Sequence, residues 1–386
     1  MTSHAYLDIH ILHTVPPANL NRDDQGNPKE AIFGGVRRAR VSSQAWKRAT
    51  RLAFTNAIPG DRAVRSKKIS SMLAARIAIR TGLDVEQATR LATALLHPLG
   101  IKAGKKAAET AYLLFFGVRQ LDALVDLVAE DATALAGLDD ARLTEVVKGL
   151  PVSEKLRTGH PLDVALFGRM VADLPSLNVD AATQVAHALS THEAELEFDY
   201  YTAVDDETQA DEPGAGMIGA IGFNSATLYR YATIGLHQLR DNLGGDATAT
   251  ANAVRLFIDA FARSVPSGHQ NSFAHRTLPS LVVFALREDQ PVNLVSAFER
   301  PVNSPGGIIP ASIVALAKEF QNASEQWGST PTVVAGTYVP VCEQDRETVT
   351  AAFGPSLTFQ DVLSQARECV SEWLAGHHEW LVGHRA

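Results

Sequence analysis

Leu20–Arg51 reads LNRDDQGNPKEAIFGGVRRARVSSQAWKRATR and joins a turn-rich loop, an arginine cluster and the start of a helix. From Ala31 to Gly60 the chain carries six Arg or Lys residues and no Asp or Glu, although its formal charge is -8. Ser42 and Ser43 stand where a helix start needs side-chain acceptors. Residues three, four and seven apart share a helical face, so Gln44, Lys47 and Arg51 project together, opposite an apolar stripe of Trp46, Ala49 and Ala53. A helix N-terminus also offers free N–H groups and partial positive charge. Phosphates therefore fit beside Ser42, Ser43 and Gln44, with Arg37, Arg38 and Arg40 approaching from the preceding strand or loop. Such a surface suits a polyanion; the plain alternative is a solvated basic face.

The rest of the composition sets limits on that reading. With 386 residues and 46% hydrophobic content, the chain can bury a large core over two or three lobes. An isoelectric point near 5.9 confines nucleic-acid contact to a local strip. Cys342 and Cys369 are too few for a disulfide framework or a thiolate zinc site, and neither metal nor cofactor is expected. No window is apolar enough to span a bilayer, and Met1–His13 lacks the basic start and apolar run of a signal peptide. The expected location is the cytoplasm, with no membrane partner.

Working outward, Leu7, Ile9 and Ile11 alternate with Asp8, His10 and Leu12, which predicts a first strand with one buried face. From about Arg62 to Leu174 the pattern is helical: KKISSMLAARIAIRTG, DVEQATRLATALLHPLG, KKAAETAYLLFFGVRQLDALVDLVAE and ARLTEVVKGL. Strand chemistry returns at EFDYYTAV and FNSATLYRYATIGL, followed by the helix ANAVRLFIDAFARSV, the strand SLVVFALRE and the short helix NLVSAFERPV. A helix over PASIVALAKEFQNASEQW, a strand over TVVAGTYVPV and a helical region from about Leu357 to Val382 complete an α+β sandwich carrying one helical insertion.

The middle of the chain reverses the charge. No Lys or Arg lies between Arg169 and Arg230, while Glu193, Glu195, Glu197, Asp199, Asp205, Asp206, Glu207, Asp211 and Glu212 crowd the first half of an expected hairpin. Its tip, PGAGMIGAIGF, puts Met217, Ile218, Ile221 and Phe223 on a glycine-rich excursion, where they meet a partner, a base stack or their own domain. An acidic hairpin and a basic surface on one chain favour head-to-tail contact between copies. Gly214, Gly216 and Gly219 match G-x-G-x-x-G, but they follow an acidic loop and precede a strand-like run, which argues against a dinucleotide site. His187, His192 and Glu193 lack the H-E-x-x-H spacing. His269, Gln270 and Asn271 form a polar cluster after a helix, suited to RNA contact or to loop capping.

Several of these segments together resemble one family. LNRDD at Leu20–Asp24, AIFGGVRRARVSSQAWKRATR at Ala31–Arg51, DVALFGRM at Asp163–Met170, AHALSTHEAE at Ala186–Glu195, YYTAVDD at Tyr200–Asp206 and LYRYATI at Leu228–Ile234 are similar to the CasC family. That family supplies the repeated backbone subunit of the type I-E CRISPR surveillance complex, Cascade. The resemblance implies a modified RNA-recognition-motif (ferredoxin-like) palm, a helical fingers insertion and a β-hairpin thumb. It places palm at 1–61, fingers at 62–175, palm at 176–199, thumb at 200–225 and palm with C-terminal elements at 226–386.

The same resemblance implies a non-catalytic protein in antiviral defence whose copies polymerise along one CRISPR RNA. Each thumb displaces a guide base, and the exposed segments pair with target DNA, while other Cascade subunits complete the particle. Arg22, Ser42, Gln44, Lys47, Arg51, Arg169 and Met170 fall at guide-contacting positions, and Tyr201, Thr202, Phe223 and Asn224 at the thumb's edges. His269 and Gln270, just after a helix, join them, and Met217, Ile218 and Ile221 are thumb-wedge candidates. Lys67, Lys68, Lys102, Lys105 and Lys106 line a path for DNA or solvate helix ends. About four to six phosphate contacts per subunit, each worth roughly 0.7 in log–log salt slope, make guide binding strongly salt-dependent. A metal-dependent ribonuclease using the acidic centre with His187 and His192, and a protein-only scaffold, are the competing classes.

Overall fold

The computed structural model describes residues 4–58, 60, 63–101, 109–110, 113–171, 174–204 and 215–376. The chain opens with β1 (Tyr6–Ala18), β2 (Glu30–Phe33), β3 (Val36–Val41) and α1 (Ser43–Ala57). Next come β4 (Ala63–Ser66), α2 (Ile69–Thr81), α3 (Val85–Leu96), β5 (Leu114–Gly117), α4 (Val118–Asp126), α5 (Ala132–Ala136), α6 (Asp140–Lys148), α7 (Val152–Arg157) and α8 (Leu162–Phe167). They lead to β6 (Thr183–Val185), β7 (Ala188–Ser190), β8 (Glu197–Val204), β9 (Ala215–Gly235), α9 (Leu236–Asn242), α10 (Ala247–Arg263) and α11 (Gln270–Phe273). The last elements are β10 (Leu281–Arg287), α12 (Ile308–Trp327), β11 (Val333–Tyr338), α13 (Glu343–Phe353) and α14 (Phe359–Ala375). Helices mixed with an antiparallel sheet make the protein α+β, as the sequence pattern predicts.

The main sheet runs β11-β10-β1-β9-β7-β3-β2, with β6 and β8 also paired to β9. Its four central strands are therefore ordered β10-β1-β9-β7, while in sequence α1 separates β1 from β7 and α10 separates β9 from β10. β8 and β9 form a hairpin in register from Glu197↔Phe223 to Val204↔Ala215.

The chain divides into two compact units, one of Met1–Leu52, Val185–Ile234 and Val254–Ala386, the other of Ala53–Gln184 and Gly235–Ala253. In the first, the sheet is covered on both sides, and this corrects the expectation of a half-buried β1. Leu7, Ile9 and Ile11 are fully buried, and so are Asp8, His10 and Leu12. The Leu12 side packs with Tyr229, Tyr231, Val283, Phe320 and Phe353 beneath α12 and α13. Most polar groups on that side are bonded internally, although His10 Nε2 and Arg287 Nη2 are buried without a partner. Asp8 accepts from Tyr231 Oη at 2.8 Å, Arg287 Nε at 3.0 Å and the Val292 N–H at 2.9 Å, and His10 Nδ1 meets Tyr229 Oη at 2.9 Å. Burial raises the Asp8 pKa even beside Arg287, because removing the carboxylate from water costs more than the neighbouring cation returns.

The second unit has its own core, built from Leu73, Ile77, Leu91, Leu95, Leu121 and Leu124 of α2, α3 and α4. Here LFFG, read as part of a helix, is instead the strand β5, which pairs with β4 from Ala63↔Gly117 to Ser66↔Leu114. A four-residue apolar run has no period of its own, so the distant partner decides its conformation.

Candidate nucleic-acid interface

Ser42 caps α1. Its Oγ accepts from the Ala45 N–H at 3.3 Å, and its own N–H donates to Asn21 Oδ1 at 2.9 Å. That second bond ties the helix start to the loop at 19–28. Among the described residues the N–H groups of Ser43 and Gln44 have no acceptor, so the first turn keeps two open donors at its positive end. On the face above, Gln44 is exposed and Lys47 and Arg51 are half-buried. Burial lowers the Lys47 pKa from its ordinary value, and among the described residues no carboxylate pairs with this ammonium. A partly desolvated cation without a counter-ion is a favourable seat for an anion.

The opposite stripe is Trp46, Thr50 and Phe54, all buried, whereas Ala49 and Ala53 are only half-buried, which shifts the expected stripe by one position. Thr50 joins it because its Oγ1 donates back to the Trp46 carbonyl at 3.0 Å and so needs no water. Beneath Trp46 lies Arg230 of β9, fully buried, its guanidinium facing the Phe261 and Ala262 carbonyls in the last turn of α10. Burial lowers the Arg230 pKa to about 9.

The loop at 19–28 is stiffened from within. Asp23 Oδ1 accepts from the N–H groups of Gln25 and Asn27, both at 2.9 Å, and Gly26 turns the chain at φ 91°. The buried Asn19 Nδ2 donates to the carbonyls of Gly26 and Gly222, again at 2.9 Å, so loop and hairpin base are fastened together. Arg22 is exposed on this loop, its Nη1 3.5 Å from His269 Nε2. The turn carrying His269 is pressed close: a Cβ on Gly268 would lie 2.4 Å from the carbonyl oxygens of Asn19 and Leu20. Gln270 and Asn271 are exposed beside it, and Phe223 and Asn224 are half-buried at the hairpin base. A narrow cleft between these parts is lined by Asn21, Lys29, Arg40 and Asn224. Arg22, Ser42, Ser43, Gln44, Lys47, Phe223, Asn224, His269 and Gln270 thus share one bonded frame. Sequence reasoning missed Asn19 and Asn21, which hold that frame; the N-L-N spacing around Leu20 is the available signal.

Two arginines expected at the surface are corrected by the structure. Arg38 is fully buried and donates to the carbonyls of Phe33 at 3.1 Å, Ser190 at 3.0 Å, Phe298 at 2.8 Å and Glu299 at 3.2 Å. Strand alternation turns it inward beside the exposed Arg37, which pairs with Glu30. Arg169, in the second unit, is buried on the carbonyls of Leu177 at 2.7 Å and Leu156 at 2.8 Å, and burial lowers its pKa to about 10. Its neighbour Met170 is 83% exposed. Arg40 is half-buried, donating from Nε to the Glu30 carbonyl at 3.0 Å, with Nη1 3.1 Å from His187 Nδ1.

On the hairpin, Tyr201 and Thr202 are exposed and Ile221 half-buried. Gly219 stands opposite Tyr201, where a Cβ would come within 2.5 Å of the ring, so this glycine makes room for an aromatic side chain and not for a pyrophosphate. Met217 and Ile218 pair with Ala203 and Thr202 in the ladder, but their side chains, like the whole acidic loop at 205–214, lie outside the described residues. Lys67 and Lys68 are exposed before α2; Lys102, Lys105 and Lys106 lie outside the described residues. His192 is a loop clamp: its Nε2 accepts from the Thr227 N–H at 3.1 Å and its Nδ1 donates to the Glu193 carbonyl at 2.6 Å. His187 faces the Arg40 guanidinium, and burial together with Arg40 and Lys29 lowers its pKa. Among the described residues no cluster of three or more His, Cys, Asp or Glu forms a metal site.

Fold and frame define an α+β protein whose basic helix start is tied to the 19–28 loop, on which the turn at Gly268 is seated. The chain belongs to the family of CT1975-like proteins, designated Cas_CT1975, whose model matches residues 7–365. Among solved structures, it is 33% identical, with a TM-score of 0.80, to a chain of a "CRISPR RNA-guided surveillance complex, pre-nicking"; the match covers 95% of this chain and 100% of the other. A chain of a second "CRISPR RNA-guided surveillance complex" is 29% identical with a TM-score of 0.68, covering 94% and 99%. No curated protein matches.

Proposed function

We propose that this chain is the repeated, non-catalytic backbone subunit of a type I-E CRISPR surveillance complex of the Cascade kind. It grips CRISPR RNA, stacks head-to-tail with further copies and other subunits, and leaves guide bases free to pair with target DNA in antiviral defence in the cytoplasm. The order β10-β1-β9-β7, with helices after β1 and β9, is that of a ferredoxin-like βαββαβ unit and supports an RNA-recognition-motif-like palm. The helical second unit then serves as fingers, with Lys67 and Lys68 toward DNA, and the β8–β9 hairpin as thumb.

One observation carries the reading: Lys47, half-buried and without a counter-charge among the described residues, lies one turn beyond the open N–H groups of Ser43 and Gln44. A strand of phosphates supplies the missing charge and acceptors together. This arrangement holds sugar-phosphate without cutting it. The test is expression with and without a CRISPR transcript, followed by absorbance ratio and native mass. RNA-dependent particles of several copies are expected, and Lys47→Ala with Arg51→Ala is expected to weaken guide binding and flatten its salt slope by up to roughly 1.4, about 0.7 per lost contact. Unchanged affinity and slope in the double variant would remove the helix from the site.

A further inference from the structure

The turn after α10 holds an aromatic side chain that the core does not claim. Gln270, Asn271, Ser272 and Ala274 are exposed, yet Phe273 among them is half-buried. Its ring lies 5.9 Å from that of Phe223 on β9, tilted by 44°, and 6.4 Å from that of His269, edge-on at 80°. His269 and Ala274, which bracket α11, adopt φ of 48° and 46°, the left-handed region that non-glycine residues avoid. The strained turn is therefore held in place from outside, by the close seating of Gly268 on the carbonyls of Asn19 and Leu20. That seating also fixes Phe273 relative to Arg22, whose Nη1 is 3.5 Å from His269 Nε2. A half-buried apolar ring, with His269 standing between it and an exposed guanidinium, matches the two chemistries of one nucleotide.

We infer that Phe273, backed by Phe223 and flanked by His269, is the seat of a single unpaired nucleobase whose phosphate is taken by Arg22. The inference rests on the RNA-holding function proposed above and names the contact at this end of it. Phe273 carries no hydrogen-bonding group, so the seat senses stacking and not base identity, and it accepts any guide sequence.

The test uses the full chain assembled on guide RNAs that each carry one 2-aminopurine, scanned through the sequence. Stacking on Phe273 is expected to quench fluorescence at one position in each subunit's footprint. Phe273→Leu is expected to restore the signal there several-fold and to weaken binding by about 5- to 100-fold, the range of one base–aromatic stack, with the salt slope unchanged. Phe273→Tyr is expected to keep the quench. RNA bound normally with the same fluorescence pattern in wild type and Phe273→Leu overturns the seat and leaves the RNA-holding function standing. Failure of the wild type to bind RNA overturns both.

Discussion

The guanidinium carbon of Arg230 stands 3.7 Å from the centroid of the Trp46 ring. A cation on the central strand β9 is thereby roofed by the helix that presents Gln44 and Lys47, and the buried side of α1 sets the angle of its exposed side. Its charge is held by ring faces and by the terminal carbonyls of α10, where the helix dipole is negative. Trp46→Ala removes the roof and leaves a cavity, and is expected to cost about 3–5 kcal/mol. Arg230→Met removes the cation and strands the α10 carbonyls, and is expected to cost about 1–3 kcal/mol. Urea denaturation measures both; a change under half a kcal/mol in either variant would show that α1 is anchored elsewhere.

Arg37 and Arg38 are adjacent in sequence and opposite in consequence. Arg38→Ala leaves four backbone carbonyls without their donor, two of them buried, and is expected to destabilise by about 3–5 kcal/mol. Arg37→Ala breaks only an exposed pair with Glu30 and is expected to cost less than about 1 kcal/mol. In RNA titrations, the salt slope is expected to be the same for wild type and for Arg38→Lys that remains folded, since that side chain reaches no phosphate. A slope reduced by one contact in that variant would return Arg38 to the surface.

Local pattern carried the α+β class, the basic face of α1 and the cap at Ser42, because each depends on residues within one helical turn or one strand. What escaped depends on distant partners. Asp8 and His10 look like a solvent-facing side of β1 until Arg287 and Tyr229, more than two hundred residues later, bond to them. LFFG reads as helix until β4 pairs with it. Arg37 and Arg38 are indistinguishable as letters, and only the carbonyls of Ser190, Phe298 and Glu299 decide which one turns inward. The candidate site was legible only as a charge pattern, and its frame, the Asn19 and Asn21 amides bonding to Gly222 and Ser42, was not.

Acid is expected to unfold the protein through its buried imidazoles. Burial holds His10 and His13 at about 3 and His160 at about 4, with Arg287, Arg230 and Arg169 adding repulsion. Between those values and the ordinary 6.5, the unfolded chain binds more protons than the folded one, so stability falls as pH drops below 6.5. Each imidazole contributes at most about 1.4 kcal/mol per pH unit in that window. Asp8, whose pKa is raised, works in the opposite sense and offsets part of the loss. Urea midpoints at pH 7, 6 and 5 are expected to decline, and His13→Gln is expected to shallow the decline by one group's share. A midpoint independent of pH over this range would contradict the burial of these side chains.

Gly268 tests whether the two loops act as one frame. A methyl group there meets the carbonyl oxygens of Asn19 and Leu20 at 2.4 Å, a separation that no Cβ tolerates, so Gly268→Ala must push the 266–275 turn away from the 19–28 loop. Moving that turn separates His269 and Phe273 from Arg22 while leaving α1 and its cap untouched. Overpacking of this kind costs about 1–3 kcal/mol of stability. Guide affinity is expected to fall by tenfold or more at a salt slope reduced by about 0.7, as one phosphate contact is lost. Lys47→Ala lies on the other side of the frame, so combining it with Gly268→Ala is expected to give additive losses. A Gly268→Ala protein that binds guide RNA as the wild type does would mean that the two loops reach the strand independently.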